Sequence, residues 1–362
     1  MTAGQWLSGI AIGLVAAAAG YVGSQLGLPL AWVLAPMMVT AAASLSGLRV
    51  LDFQNGRKIG QLIVGSAIGL AMTPEAIEML LVWFPFMVLT AAVSVLVTAL
   101  LAVPFARLGR LDTATGFFAL TPGGLSEMAR VGEREGARTE VISLSQALRV
   151  ALLVTLLPMA LLTFGTDGGY PDFAARPILQ PEVFGAVLAA SLAAMLVMRL
   201  LRANNPWMIG GLLGAGLIAG LGVVEGRAPQ IPFAFGQFLI GITIGVRFKR
   251  ENMAGVGRVL AVALAFILLM TGLLSGYAAL LHLATGLDLS SAVLAASPGG
   301  MAEMALTANA LHLNVVLVPP FHFVRSFIVN AYSLQFFRLC RAAGLFRATG
   351  AALDFLCAKR GG

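Results

Sequence analysis

The chain has 362 residues, of which 59% are hydrophobic and 11% charged, with a mean hydropathy of +0.92. Soluble domains carry charged residues near 25%, so this composition excludes an ordinary soluble enzyme or binding module and predicts an integral membrane protein. The net charge of +7 has its first explanation in orientation rather than in nucleic acid, because Lys and Arg stay on the cytoplasmic side of membrane spans.

The chain starts MTAGQWLSG, with no basic n-region, and its first apolar stretch, 5–22, shows no cleavage site. It is therefore expected to remain as a span. Further stretches follow at 30–47, at 59–73, which is shorter and opens on Gly60-Gln61, and at 79–104; a hydrocarbon core needs about 17–25 such residues. Residues 113–121 then form a short apolar arm with Asp112 placed as its N-cap. At about 1.5 Å per residue the arm is roughly 14 Å long, half the hydrocarbon thickness. Pro122, Gly123 and Gly124 stop it, and Glu127 follows the break. The next stretch, 139–164, contains Gln146 and, one helical turn later, Arg149.

From residue 183 the series runs again, through 183–198, 205–222, 233–246 and 254–281. Asp288, the arm 289–297, the break at Pro298, Gly299 and Gly300, Glu303, and a stretch at 315–337 carrying His322 and Arg325 complete it. TPGGLSEMA at 121–129 returns as SPGGMAEMA at 297–305, an offset of 176. The same offset carries Gly60-Gln61 onto Gly236-Gln237, Asp112 onto Asp288, Gln146 onto His322 and Arg149 onto Arg325. A fixed-period match makes the chain an internal duplication. It divides into membrane repeats at 1–166 and 181–340, an extracytoplasmic linker at 167–180, and a basic tail at 341–362 suited to anionic headgroups on the cytoplasmic side. Cys340 and Cys357 lack the CxxC spacing of a metal or redox site and are expected as free thiols.

Charge decides the topology. If each Pro-Gly-Gly segment crossed the membrane, Lys and Arg would divide 12 inside and 9 outside, with Arg149 and Arg325 intramembrane. If each segment turns back, 19 lie inside and only Arg176 and Arg227 outside, as the positive-inside rule requires. Five spans per repeat is an odd number, so the repeats are inverted and the two breaks approach one another from opposite faces. A spanning broken helix combined with one more miscounted span would keep the same parity. The expected fold class is all-α integral membrane, with two inverted repeats of about five spans and a broken helix or re-entrant hairpin in each.

A helix break at membrane depth frees backbone groups that only protein or a water-filled cavity can satisfy, and inverted repeats meeting at a midplane site are the plan of secondary transporters. The candidate substrate- or ion-binding residues are therefore Pro122, Gly123, Gly124, Glu127, Arg149, Pro298, Gly299, Gly300, Glu303, His322 and Arg325. Each glutamate either binds a cation or carries a proton, or caps the N–H groups of the helix it begins. Each arginine needs a glutamate of either repeat or a bound anion, or else snorkels to an interface. His322 either titrates near neutrality or is a satisfied buried histidine. There is no metal-ligand cluster, dinucleotide fingerprint or P-loop, so no catalytic residue, metal or cofactor is expected, nor an enzyme, nor ATP-driven transport by this chain alone.

The paired PGG-x-x-E-M motifs at 122–128 and 298–304 resemble those of the duplicated bacterial membrane family called AbrB, and the resemblance covers roughly residues 10–340. It implies an inner-membrane, multi-pass protein, and it supplies no established site residues. Members of that family carry the labels transcriptional regulator and ammonia monooxygenase. His282, His312 and His322 are scattered and form no oxygenase ligand set, and direct nucleic-acid binding would need a basic recognition domain where only the short tail is available. The expectation is a secondary transporter of a small solute, coupled to H⁺ or Na⁺, with both termini cytoplasmic. The alternative is a membrane sensor that acts on gene expression indirectly. The expected partners are the bilayer and the solute or ion; one chain suffices for a pore, with a homodimer as the other arrangement.

Overall fold

The computed structural model describes residues 3–28, 30–48, 50, 55–72, 74–165, 176–203, 205–248 and 257–358. Arg49, Lys249, Arg250, Lys359, Arg360 and most of the 167–180 linker, all used in the sequence reading, lie outside the described residues. The first set of elements is α1 (Ala3–Gln25), α2 (Ala31–Leu45), α3 (Gly56–Gly69), α4 (Pro74–Gly109), α5 (Thr113–Leu120), α6 (Leu125–Glu133) and α7 (Thr139–Phe164). The second is α8 (Pro181–Leu200), α9 (Pro206–Gly220), α10 (Gln230–Gly245), α11 (Gly257–Thr285), α12 (Leu289–Ala296), α13 (Met301–Ala310) and α14 (Val318–Ala342), followed by α15 (Leu345–Ala358). Each helix of the first set has its counterpart in the second, and at the offset of 176 α5 falls residue for residue on α12.

The chain is an all-α membrane protein. Among the described residues, five helices contain stretches long and apolar enough to cross a bilayer: Ser8–Gln25, Leu80–Gly109, Thr139–Phe164, Pro181–Leu200 and Gly257–Thr285. Leu81, Leu196, Leu273 and Leu283 point outward and exposed, on faces that suit hydrocarbon rather than water. In the first half of α14 the polar residues His322 and Arg325 are buried and Asn330 is partly buried, which reconciles a spanning helix with its lower hydropathy.

Contacts between counterparts fix the inversion. Arg258, in the first turn of α11, donates from Nε to the carbonyl of Leu108 in the last turn of α4 at 2.9 Å, so counterpart helices run in opposite directions. Arg338 and Arg341, at the end of α14, bond Glu135, just before α7 begins, at 2.9 and 3.1 Å. Alongside them, α15 packs on α4, with Arg107 bonded to Asp354 at 2.5 Å; that hydrogen bond holds the Asp354 carboxyl below the usual carboxylate range. These contacts gather Arg107, Arg258, Arg338 and Arg341 at one basic end of the molecule.

The broken segments do not cross. In the first repeat the Arg138 N–H donates to Thr115 Oγ1 at 2.8 Å, and in the second the Asn314 N–H donates to Ser291 Oγ at 3.0 Å. The foot of each entering arm thus lies level with the end of its returning arm. Both α5–α6 and α12–α13 are re-entrant hairpins, the first based at the basic end and the second at the opposite end, where Ser290 lies near Gly165 at the close of α7.

Packing divides the helices in a way the repeats do not. Helices α1–α3 pack with α8–α10 into one body, and α4–α7 pack with α11–α15 into another that carries both hairpins. The substantial contacts between bodies are α3 with α13, α7 with α10 and α4 with α9. The first body is laced by glycines: a Cβ on Gly60 would lie 2.6 Å from the Gly236 carbonyl oxygen, and one on Gly65 would lie 2.6 Å from that of Met208. Gly60 and Gly236 are counterparts that touch each other, so the pseudo-two-fold axis passes through the α3–α10 crossing.

Candidate functional site

The two hairpin tips meet around a cavity of about 290 Å³. Each entering arm begins as expected: Asp112 accepts from the Thr115 N–H and Asp288 from the Ser291 N–H, both at 2.7 Å. The arms end where Thr121 and Ser297 turn extended ahead of the prolines, which strands the last carbonyls of α5 and α12 in the protein interior.

Those carbonyls explain the intramembrane arginines. Arg149 Nη1 donates to the carbonyls of Thr121 at 2.9 Å and Leu120 at 3.3 Å, while Gln146 Nε2 donates to those of Phe118 at 3.0 Å and Thr121 at 2.8 Å. Arg325 donates to the carbonyl of Ser297 and, through Nη2, to that of Gly299 at 2.6 Å. The same Nη2 lies 2.8 Å from His322 Nδ1, and His322 Nε2 lies 3.0 Å from the Leu294 carbonyl. The ring therefore donates from Nε2 and accepts at Nδ1, which makes it a neutral, satisfied histidine. A cation at a helix C-terminus offsets the negative end of its dipole. Neither the expected pairing of arginine with glutamate nor snorkelling occurs: both arginines are buried and both are C-caps.

Each glutamate stands in the first turn of its helix, where its charge complements the dipole, and its described side-chain bond goes to an arginine rather than to a backbone N–H. Glu127 bonds Arg130 one turn further along its own helix, and its side chain is 34% exposed. Glu303 is 1% exposed and bonds Arg57 Nη2 through Oε1 at 2.7 Å, while its Oε2 has no partner. Arg57 is the second residue of α3, so this ion pair ties the returning arm of the second hairpin to the other body.

The repeated motif acquires a physical reason. A Cβ on Gly123 would meet the Met128 sulfur at 2.9 Å, and one on Gly299 the Met304 sulfur at 2.6 Å. The first glycine of each break makes room for the methionine that fills the turn from beneath. At Gly300 the missing Cβ leaves the space that the Glu303 carboxylate occupies. Gly124 N–H donates to Asn330 Oδ1 at 2.9 Å, which seats the first tip on α14.

Of the sequence candidates, Pro122, Gly123, Gly124, Glu127, Arg149, Gly299, Gly300 and Glu303 line the cavity. Pro298, His322 and Arg325 do not; the last two stand behind the second tip. Sequence reasoning missed Arg57, Gln61, Asn205, Arg247 and Asn330, which also line it. Arg57 was counted only as a loop charge. The signal lay in the repeat alignment, where its counterpart is Phe233 and that of Asn330 is Val154: polar residues without a polar twin. Arg130 and Asn205 are exposed, so the cavity opens toward the end where α3 begins and the first hairpin is based. The tip of the second hairpin closes its floor.

The profile of the family described as transition state regulatory protein AbrB matches residues 53–341. The protein YhjN of Bacillus subtilis (strain 168) is 26% identical over 353 residues, covering 90% of this chain and 91% of that protein. A protein of Escherichia coli (strain K12) named for a regulator role, AbrB, is 24% identical over 305 residues, 83% of this chain and 87% of its own length. The chain belongs to the AbrB family.

Proposed function

We propose that this AbrB-family chain is a secondary transporter that carries a small solute through the cavity between the two hairpin tips, in the bacterial inner membrane. The single observation that supports it best is that both broken helices, entering from opposite ends, bring their tips to one polar cavity walled by both bodies. A site of that kind needs only relative motion of the bodies to face one side and then the other. The contact between them is largely apolar, with Ile240 and Ile244 of α10 in the same buried cluster as Leu153 and Leu157 of α7, and it places few fixed polar bonds in the way of such motion. By the positive-inside rule the basic end is cytoplasmic, which puts both termini inside and makes the described conformation inward-facing.

Purified protein in proteoliposomes, screened for solute uptake under imposed pH and Na⁺ gradients, tests this reading. Wild-type chain carries a solute that empty liposomes exclude, and Glu303→Gln reduces that flux. The regulator name of the Escherichia coli relative favours a second reading, a membrane sensor acting on gene expression. It predicts altered transcription in a deletion strain with no flux of any solute, so the two measurements made on one strain separate the readings.

A further inference from the structure

Every described carboxylate at the cavity is already matched by an arginine, and Arg149 stands in the wall beyond these pairs. Glu303 is held by Arg57 and Glu127 by Arg130. Arg325 stands directly behind the second tip. Helices α6 and α13 both begin at the cavity, so two helix N-termini, with the free N–H groups of their first turns, face it. The rest of the wall is apolar: Val150, Ile209, Ile244, Met301, Phe323 and Phe327. A cation would meet surplus positive charge here. A small anion with an apolar body meets complementary surfaces at both of its ends.

Glu303 adds a second constraint. Its carboxylate is buried, its Oε2 is unpartnered, and its one bonded cation is Arg57. The charged and titratable groups on the elements packed around it are Arg57 on α3, Arg149 on α7, which it attracts at longer range, and the Arg325–His322 pair on α14; α12 has none. An anion that takes Arg57 as its partner leaves the Glu303 carboxylate buried without its bonded cation, a state that costs several kcal/mol unless the charge is removed.

We propose that the substrate is a small carboxylate bearing an apolar substituent, and that its carboxylate replaces Glu303 on Arg57 while Glu303 takes up one proton from solution. The exchange balances: one anion and one proton enter, the Arg57–Glu303 ion pair becomes an Arg57–substrate ion pair beside a neutral Glu303, and the net charge of the site is unchanged. The loaded cavity then no longer ties α13 to α3 through that ion pair, so the same event that fills the site frees the two bodies to move. The inference rests on the transporter reading for the identity of the site, and its test does not.

Isovalerate and benzoate serve as probes, with isoamylammonium as the cation of matching shape, on the full-length chain in detergent. Calorimetry in two buffers of different ionisation enthalpy counts protons per ligand. Wild-type protein binds the acids with close to one proton taken up per anion and does not bind the amine. Glu303→Gln still binds the acids, with no proton uptake. Arg57→Met strands a buried carboxylate and risks misfolding, so the informative variant is the pair Arg57→Met with Glu303→Gln, which stays monodisperse and binds the acids at least tenfold more weakly than Glu303→Gln alone. Binding of acids to wild type without proton uptake overturns the coupling. Binding of isoamylammonium in preference to both acids, or of neither acid at millimolar concentration, overturns the substrate class. If the acids bind with proton uptake but the protein adds no flux of them, or of any other solute, above that of empty liposomes, the transporter reading fails while the site stands; if the protein carries another solute while the acids do not bind, the reverse holds.

Discussion

The two hairpins are close copies in sequence and make different contacts through their glutamates. Each is capped at its foot by an aspartate, broken by Pro-Gly-Gly, underpinned by a methionine, and held at its stranded carbonyls by an intramembrane arginine. The first keeps its glutamate on its own helix, partly in solvent, and pairs it with Arg130; the second buries its glutamate against Arg57 of the other body. Duplication has preserved the frame of the hairpin, and divergence at a few unpaired positions, Arg57 against Phe233 and Asn330 against Val154, has made the chemistry one-sided. Symmetric residues build the frame of the site, and asymmetric residues give its two glutamates different partners.

The largest effect tests the shared frame. Arg325→Met leaves the carbonyls of Ser297 and Gly299 buried without their donor. At about 1–3 kcal/mol for each unpaired group, it destabilises the protein by roughly 2–6 kcal/mol in thermal unfolding followed in detergent. Arg149→Met costs less, because the Thr121 carbonyl retains Gln146 as a donor. Equal losses in the two variants would erase this distinction between the tips.

The next effect breaks the symmetry of the glutamates. Glu303→Gln lowers solute flux by about a hundredfold, the scale of about 2.7 kcal/mol at about 1.36 kcal/mol per decade, whereas Glu127→Gln lowers it less than tenfold, since a partly exposed pair of this kind is worth at most about 1 kcal/mol. Flux through both variants in proteoliposomes measures the difference directly, and comparable losses would show that the glutamates act as equals.

Smaller effects sharpen the comparison of bodies. Gly60→Ala forces its Cβ onto a backbone carbonyl at 2.6 Å, while Gly236→Ala meets chiefly the Ile63 side chain at 3.1 Å. Overpacking costs about 1–3 kcal/mol, so Gly60→Ala lowers the melting temperature and Gly236→Ala lowers it less. The smallest effect comes from the caps: Asp112→Ala and Asp288→Ala each cost about 1 kcal/mol, and by the same amount, because here the repeats are alike. Unequal losses at the caps would place the asymmetry in the frame as well as in the site.

Much of this fold could be read before the structure. Composition requires a membrane protein, the 176-residue offset gives the folding unit, and loop arginines count an odd number of spans per repeat; Arg258 on Leu108 and Arg138 on Thr115 then show inversion and re-entry as contacts. The eight cavity-lining candidates were legible because a helix break in a membrane has to be surrounded by protein or water. The division into two bodies was not legible, since α1–α3 and α8–α10 leave their own repeats to pack together, a choice made by glycine contacts such as Gly60 with Gly236 across 176 residues of chain. The roles of Arg149 and Arg325 were missed for a related reason. An intramembrane arginine suggests a charged partner, yet the stranded carbonyls of α5 and α12 are nearer, and the sequence does not display their direction.

Relative motion of the two bodies is the central claim, and distances between spin labels test it most directly. With Cys340 and Cys357 replaced by serine, labels at Leu221 beyond α9 and Leu283 on α11 report across the bodies, and labels at Leu81 on α4 and Leu283 report within one; all three positions are exposed. In lipid nanodiscs the cross-body pair is expected to show two resolved distances, and the within-body pair one. Joining Ala67→Cys of α3 to Asn309→Cys of α13, two positions that line a second cavity of about 80 Å³, should collapse the cross-body pair to a single distance. A single cross-body distance before that link is made, unchanged by pH or by solute, would contradict the account.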